Sequence, residues 1–380
     1  MAQNARMCIE RRMAKIVAQK IIAEGGDGVF SPTGLGIAAA VVLSMSAGTS
    51  RDEACMALGL SPMNELEFFK SHQTLHQELN TEKDGATLNL TNGLFVRGLV
   101  NDSYKGTCKT YFNATSMTLE SKAAVNLWVA GQTDYKITEL LTSEPSATVF
   151  VSCMLFKGVF DIAFDKDNTR LRPFYPDFTA EEPGDRTLVP TMHKTELVSF
   201  VECETGKVVK LPYGEGSYSL IILLPDTELG LAGAVQTLLG DWDNVREAMC
   251  ATLVELEVPK FDLKFDFDAS DVFKKAGIKE AFLDGSADLG RLTKDKSTYV
   301  EKVVQSATFS LDEEEVEAAV ATDVIGGTRG GGGARRKETE SFAVNRPALF
   351  MVVEGDIDAM LFVALVSHPV VVKSESVGDV

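Results

Sequence analysis

The chain is short of positive charge. Its 380 residues include 37 lysines and arginines against 55 aspartates and glutamates, which leaves a formal net charge of -18 at pH 7. A surface this acidic repels phosphate backbones and anionic lipid headgroups. We therefore expect no nucleic-acid partner, no membrane partner and no polyanion cofactor.

Closely spaced cysteines are also missing. No two cysteines form a CxxC pair, and the spacing fits neither a zinc site nor a compact disulfide scaffold. We expect free thiols in a reducing compartment, and no metal or other cofactor. The six cysteines are Cys8, Cys55, Cys108, Cys153, Cys203 and Cys250.

Enzyme motifs are scarce. No GxSxG is present, so a hydrolase of that type has no support. Gly34 and Gly36 imitate a GxGxxA dinucleotide loop, but Pro32 stands where that loop needs a strand, so close packing of a buried helix explains the glycines better. His72 and His76 are four residues apart on a predicted helix, and without a third ligand we interpret them as part of a solvated face. We expect no enzyme, and a nucleotide titration would test the Rossmann-type alternative.

One long run has no charge. Residues 28 to 50 could span a bilayer by length, but they include Pro32, four glycines and many hydroxyls. Ser31 followed by Pro32 is typical of a helix N-cap and first turn. The run therefore predicts a buried helix from Ser31 to about Met45. The first 24 residues are interrupted by charges and contain no signal-peptide core.

Helical periodicity dominates early and strand character late. Helices are predicted over 6–24 and 123–141, and a strand over 88–97. Residues 148 to 160 are almost continuously apolar, which predicts a central strand covered on both faces. Strands follow to the end, with a helix near 270–277. This order indicates an α+β protein with large, mainly antiparallel sheets, and we expect one domain over 1–380.

Residues 315 to 326 alternate in character. Every carboxylate falls at an odd position, and the even positions are small and mostly apolar. This period of two is typical of a strand with one buried face. The segment runs into a Gly- and Arg-rich tract, which has no strand propensity. Two interpretations stay open: a strand that ends in a surface loop, or a segment that is either exposed or inserted in a sheet.

Several motifs in order resemble the serpin family, over about residues 8 to 372. Each motif alone is modest, and their order makes the resemblance specific. The motifs are Val29-Phe30-Ser31-Pro32; Asn126-Leu127-Trp128-Val129 with Thr133, Lys136 and Ile137; Phe156-Lys157-Gly158 with Phe164, Thr169 and Phe174; Leu211-Pro212-Tyr213; Val258-Pro259-Lys260-Phe261; and Phe342 to Pro347 with Leu349 and Phe350.

The resemblance implies a metastable α+β fold of about nine helices and three sheets, with an exposed reactive loop over 313–341. In this family a protease cuts the loop and forms an acyl-enzyme. The cut loop then inserts as a new strand in the central sheet, drags the protease across the molecule and distorts its catalytic site. The metastable fold stores the free energy for this step.

The resemblance also locates the bond that is cut. In the family the cut falls about seventeen residues along, and counted from Glu313 these end at Arg329, so the resemblance implies a scissile bond at Arg329-Gly330. Counting back from Pro347 points instead to the bond Arg336-Lys337, and Arg335 is a further alternative bait residue. We prefer Arg329, because the length of the inserted strand constrains the N-terminal side more. An arginine before the bond suits a trypsin-like protease.

Two other regions carry roles in the family. Glu315 and Val316 replace the usual glycine and hydroxyl residue of the hinge, and Glu315 should slow its bending. In the shutter beneath the sheet only one family residue is retained, and Phe160 replaces a tryptophan near the insertion point. The hinge residues are Glu313, Glu315, Val316, Ala318, Ala319, Val320 and Ala321. The shutter residues are Asp27, Ser31, Gly34, Ser152 and Gln305, of which Ser31 is the one retained.

We therefore expect a monomeric, cytoplasmic inhibitor that forms a covalent complex with a trypsin-like serine protease. Export by a route without a signal peptide is the alternative location. The alternative function is that of a non-inhibitory serpin, a binding or chaperone-like protein whose loop is cut without insertion.

Overall fold

The computed structural model of the chain describes residues 2–80, 85–176, 186–226, 230–313, 339–355 and 359–370. The described α-helices are α1 (Ala2–Ala23), α2 (Pro32–Met45), α3 (Gly48–Ala57), α4 (Glu65–Leu79), α5 (Asp102–Phe112), α6 (Lys122–Gln132), α7 (Gly230–Ala248) and α8 (Ser270–Lys275). Short 3₁₀ turns lie at Pro62–Asn64, Lys166–Asn168 and Glu280–Phe282. The backbone of α7 breaks at Asp241, so these eight helices comprise nine helical segments.

Fourteen strands are described. They are β1 (Gly28–Phe30), β2 (Ala86–Val96), β3 (Ala114–Thr118), β4 (Thr148–Gly158), β5 (Arg170–Phe174), β6 (Thr187–Cys203), β7 (Gly206–Tyr213), β8 (Tyr218–Pro225), β9 (Cys250–Pro259), β10 (Phe261–Asp268), β11 (Val300–Leu311), β12 (Glu340–Ala343), β13 (Ala348–Glu354) and β14 (Ala359–Val366).

These strands form two sheets where three were expected. One sheet has five strands in the order β10-β11-β4-β2-β3, and the other has nine, in the order β1-β14-β13-β8-β7-β6-β9-β12 with β5 paired to β6. The long strand β6 pairs with β9 over most of its length and with β7 at its end. This shared strand joins two groups of strands that would otherwise count as separate sheets.

The uncharged run folds as the predicted buried helix. All residues of α2 are buried, and the Ser31 hydroxyl caps the helix by accepting a hydrogen bond from the Gly34 N–H at 2.9 Å. The helix contributes to the main core together with residues of α1 and of both sheets. No described helix combines the length and the apolarity that crossing a bilayer needs.

One predicted helix differs from the structure. The helix expected over 123–141 ends at Gln132, because Asp134 and Tyr135 adopt positive φ angles of 48° and 59° that a helix cannot contain. The apolar residues beyond the break, including Ile137, still pack in one cluster with α6 and the five-stranded sheet. Among the strands that were predicted toward the end of the chain, β9 and β10 follow each other directly, separate at Lys260 and enter different sheets.

Candidate functional site

Two neighbouring strands of the five-stranded sheet, β11 and β4, run parallel. Their register extends from Val300 opposite Thr148 to Phe309 opposite Phe156, and we call this pairing the seam. Away from the seam, β11 pairs with β10 and β4 pairs with β2, and both of these pairings are antiparallel. The chain leaves β11 at the end of the seam where β4 also ends. A strand that entered the seam from that end would run antiparallel to both neighbours, which is the slightly more stable arrangement.

The seam is covered on both faces. On the inner face Phe150 and Phe309 belong to the main core, and on the outer face Val151 and Val304 pack in the smaller cluster with α6. A strand inserted here would bury its inward side chains completely. The burial of β4 confirms the prediction that residues near 148–160 form a central strand covered on both faces.

The start of the expected hinge is anchored at the end of the seam. The Glu313 side chain is 3% exposed and accepts a hydrogen bond from Thr169 Oγ1 at 2.5 Å and another from Lys260 Nζ. Burial acts to raise the pKa of this carboxyl, but the bonds from Lys260 and Thr169 outweigh it and hold the pKa below its usual value. Glu313 lies 144 positions from Thr169 and 53 positions from Lys260 in the sequence, so local sequence patterns contain no signal for these two hydrogen bonds.

The other expected loop residues lie outside the described part of the chain. They are the hinge residues Glu315, Val316, Ala318, Ala319, Val320 and Ala321, and the bait residues Arg329, Gly330, Arg335 and Arg336.

Four of the five expected shutter residues meet beneath the seam. The backbone N–H of Ser31 donates to Gln305 Oε1 at 2.8 Å, and Gln305 Nε2 donates back to the Ser31 carbonyl at 3.1 Å. A Cβ on Gly34 would lie 2.8 Å from Gln305 Nε2 and 2.9 Å from Ser152 Oγ, so only glycine fits this approach. The start of α2 is thereby bonded directly to the inner face of β11.

One further polar residue borders this group and has no sequence signal. Asn92 lies opposite Ser152 on the neighbouring strand, and Ser152 lies opposite Gln305 across the seam. Both the Asn92 side chain and Ser152 Oγ are buried without a hydrogen bond to any described residue. Unpaired buried polar atoms are costly, so this row lowers the stability of the closed sheet.

Asp27 is not part of this group. Its carboxylate accepts hydrogen bonds from the backbone N–H groups of Ser367, at 2.5 Å, and His368, at 3.0 and 3.1 Å. It therefore fixes the chain at the end of β14. Asp27 immediately precedes β1, and the pairing of β1 with β14 brings it to that end.

The histidine pair does not form a solvated face. His72 is fully buried, and its ring lies edge-on to Phe68 with centroids 4.8 Å apart. Burial holds the pKa of His72 well below its usual value, so the ring is neutral. No group of three or more potential metal ligands occurs within the described ranges.

All six cysteines are free, as the sequence spacing predicted. Cys8 and Cys250 are exposed, whereas Cys108 and Cys153 are buried. Burial raises the pKa of each of these two buried thiols to about 12.

Comparison with known proteins identifies similar chains over almost the whole length. The family model described as "Serpin (serine protease inhibitor)" matches residues 10–369. Serpin B9 of Homo sapiens is 28% identical, with 96% of this chain and 99% of that protein covered. Iripin-3 of Ixodes ricinus is 29% identical, with 89% and 88% covered.

Solved structures share the fold. Native protease nexin-1 with heparin superposes with a TM-score of 0.82 at 18% identity, with 97% of this chain and 100% of that chain covered. Human thyroxine-binding globulin complexed with thyroxine gives the same TM-score at 21% identity, with the same coverage.

Proposed function

Because the chain belongs to the serpin family, we propose that it is a suicide-substrate inhibitor of a trypsin-like serine protease. Most members of this family inhibit proteases. We propose in addition that it acts by loop insertion, that its target is a trypsin-like protease and that Arg329 is the bait residue.

The observation that carries the proposal is the seam. Its two parallel strands can separate to admit one antiparallel strand between them, and the chain that continues from β11 starts at the end of the seam where both strands finish. Glu313, the first residue of the expected hinge, is held at that end by Thr169 and Lys260.

The sequence after Glu313 suits an inserted strand. Residues 315 to 326 number as many as the 12 residues of β11, so they would fill the seam from end to end. Their small and apolar even positions would face the buried core. Their acidic odd positions would face outward. A cavity of about 410 Å³ lies on the outer face at the end of the seam, and polar side chains such as Thr308 and Lys157 line it.

The reaction proceeds in two stages. The protease serine attacks the carbonyl of Arg329, an ester bond forms to that carbonyl, and the peptide bond to Gly330 breaks with release of the Gly330 amine. The new chain end then inserts into the seam and carries the attached protease with it. The hydrogen bonds and buried surface gained on insertion drive the distortion that stops hydrolysis of the ester. One inhibitor molecule is consumed per protease, so the protein is not an enzyme.

The test is a covalent complex with trypsin. Equimolar protein and trypsin should give a band on a denaturing gel at the summed mass of the two chains, and the active-site Ser→Ala trypsin should give none. Arg329→Ala should abolish the band, while the matched variant Arg336→Ala should retain it. If only Arg336→Ala lost the band, the bait residue would be Arg336 and not Arg329. A clipped chain without any complex would contradict inhibition.

A second candidate is a non-inhibitory binding protein. One structural relative is thyroxine-binding globulin, so the fold occurs in a protein that binds a small molecule. Glu315 in the hinge, where the family usually has glycine, favours this candidate, and the alternation of small residues after it argues against it. The gel separates the two, because a binding protein yields only the clipped chain.

We also propose that the protein acts as a monomer in the cytoplasm, with secretion without a signal peptide as the alternative. The support for the cytoplasm is that all six cysteines are free in the structure, as in most proteins of reducing compartments.

A further inference from the structure

The chain that follows β4 is tied to the nine-stranded sheet. We call residues 159–164 the β4 extension. The Gly214 N–H, just after β7, donates to the carbonyl of Val159 at 2.9 Å, and the Asp161 N–H donates to the carbonyl of Pro212 in β7 at 3.0 Å. The ring of Phe160 stacks on Tyr213, also in β7, with centroids 4.7 Å apart and planes 18° apart.

Lys194 in β6 reaches into the β4 extension from the other side. Its ammonium donates to the carbonyl of Ile162 at 2.5 Å and lies 4.4 Å from the ring centroid of Phe164 and 5.4 Å from that of Phe160. Glu196, two residues along the same strand, places Oε2 2.6 Å from the same ammonium. We call this group the Lys194 clamp.

The clamp is costly to build. The side chains of Lys194 and Glu196 are each only 11% exposed, and burial holds the pKa of Lys194 below its usual value although Glu196 acts to raise it. A buried ion pair contributes little net stability compared with apolar side chains of the same volume. Its effect is to fix one geometry, since the ammonium must keep its carbonyl, its rings and its carboxylate together.

Both sides of the seam are thus bonded to the nine-stranded sheet at the same end. The β11 side is held through Glu313, which binds Thr169 just before β5 and Lys260 just after β9, and the β4 side is held through Lys194 in β6. An inserted strand would increase the separation of β4 and β11 by about 4.8 Å, one strand spacing. A shift of that size exceeds the range of the contact between Lys194 and the phenylalanine rings and of the ion pair between Lys260 and Glu313. At least one of these two attachments, at Lys194 or at Glu313, must therefore break before insertion.

We propose that Lys194 is a positioning residue for loop insertion, whose clamp on the β4 extension keeps the end of the seam closed and limits the rate at which a strand enters. This inference rests on the proposed inhibitory function. It predicts that loss of the clamp accelerates insertion without altering the bait.

The test measures strand entry directly. A fluorescent synthetic peptide that copies residues 314–326 is incubated with the intact, uncut protein, and its uptake is followed on native gels. Lys194→Met, which keeps the length of the side chain but removes its charge, should take up the peptide about tenfold faster than the unmodified protein. Lys194→Arg, which keeps a cation over the rings, should restore the original rate.

The matched control is Lys274→Met. Lys274 also lies over a phenylalanine ring, at 5.7 Å from Phe282, and has a carboxylate neighbour, Asp271, at 3.5 Å, but it belongs to α8 rather than to the β4 extension. It should leave peptide uptake unchanged.

Each outcome is decisive. If Lys194→Met took up the peptide no faster than the unmodified protein, the inference would be overturned. A lower thermal midpoint of that variant would not rescue it, because loss of stability without faster uptake is the result expected of a purely structural lysine. If the unmodified protein took up no peptide and trypsin only clipped it, the proposed function itself would fail, and the clamp would fail with it. Faster uptake confined to Lys194→Met supports the clamp.

Discussion

Cutting the chain after Arg329 should make the protein more stable to heat. The expected change is insertion of residues 315–326 into the seam, which replaces one parallel ladder between β4 and β11 by two antiparallel ladders. A cut elsewhere in a surface loop would normally leave stability unchanged or lower it.

The gain in stability on insertion follows from the hydrogen bonds that the new strand would add. The present ladder joins β11 and β4 from Val300 to Phe309, and a strand as long as β11 would add roughly one further ladder of about ten hydrogen bonds. At about 1 kcal/mol net per hydrogen bond, the gain is on the order of 10 kcal/mol before side-chain burial is counted. With about 2.1 cal/mol/K per residue, a chain of this length loses about 0.8 kcal/mol of stability per degree at its midpoint, so the shift is on the order of 12 °C.

The assay compares intact and cut protein by calorimetry. A catalytic amount of an arginine-specific protease makes the cut, and mass spectrometry confirms that it follows Arg329. Ala318→Arg would place a guanidinium on the inward side of the inserted strand and should abolish the gain. Ala319→Arg, one residue on and outward-facing, is the matched control and should keep it. An unchanged or lower midpoint after cutting, or equal behaviour of the two variants, would refute the reasoning.

Three further predictions concern the described residues. Glu313→Gln should lower the stability of the uncut protein by about 2 kcal/mol at pH 7 in denaturant titrations. Because the pKa of Glu313 is depressed, this stabilisation is present above the unfolded pKa and is lost as the pH falls through the folded value, so unchanged acid sensitivity in the variant would contradict it. Gly34→Ala should cost about 1–3 kcal/mol, since its Cβ would crowd the shutter, and full stability would exclude that packing. Cys8 and Cys250 should react with iodoacetamide at pH 8 before the buried thiols, which peptide mapping would show.

Patterns local in sequence predicted the elements well where one chemical feature dominated. The Ser31-Pro32 pair and the absence of charge located α2, and the unbroken apolar run located β4, because capping and two-sided burial depend on neighbouring residues. The end of α6 was missed, since the residues beyond Gln132 keep a helical spacing of apolar side chains although the backbone turns away.

The site was predicted in part. Ser31, Gly34, Ser152 and Gln305 meet under the seam, and the family resemblance was the only guide to that group. Asp27 was placed with them and lies elsewhere, because the pairing of β1 with β14 carries it to the far end of that strand.

By itself the sequence determined the fold class, the buried helix α2, the family and the alternating segment at 315–326, because each of these depends on residue types at short spacing or on motifs in order. Only the tertiary structure decided which distant groups meet: Glu313 with Lys260 and Thr169, Asn92 beside Ser152, and Lys194 over Phe164. Strand register and sheet order bring these residues together across separations of 30 to more than 140 positions, and no local pattern encodes that pairing.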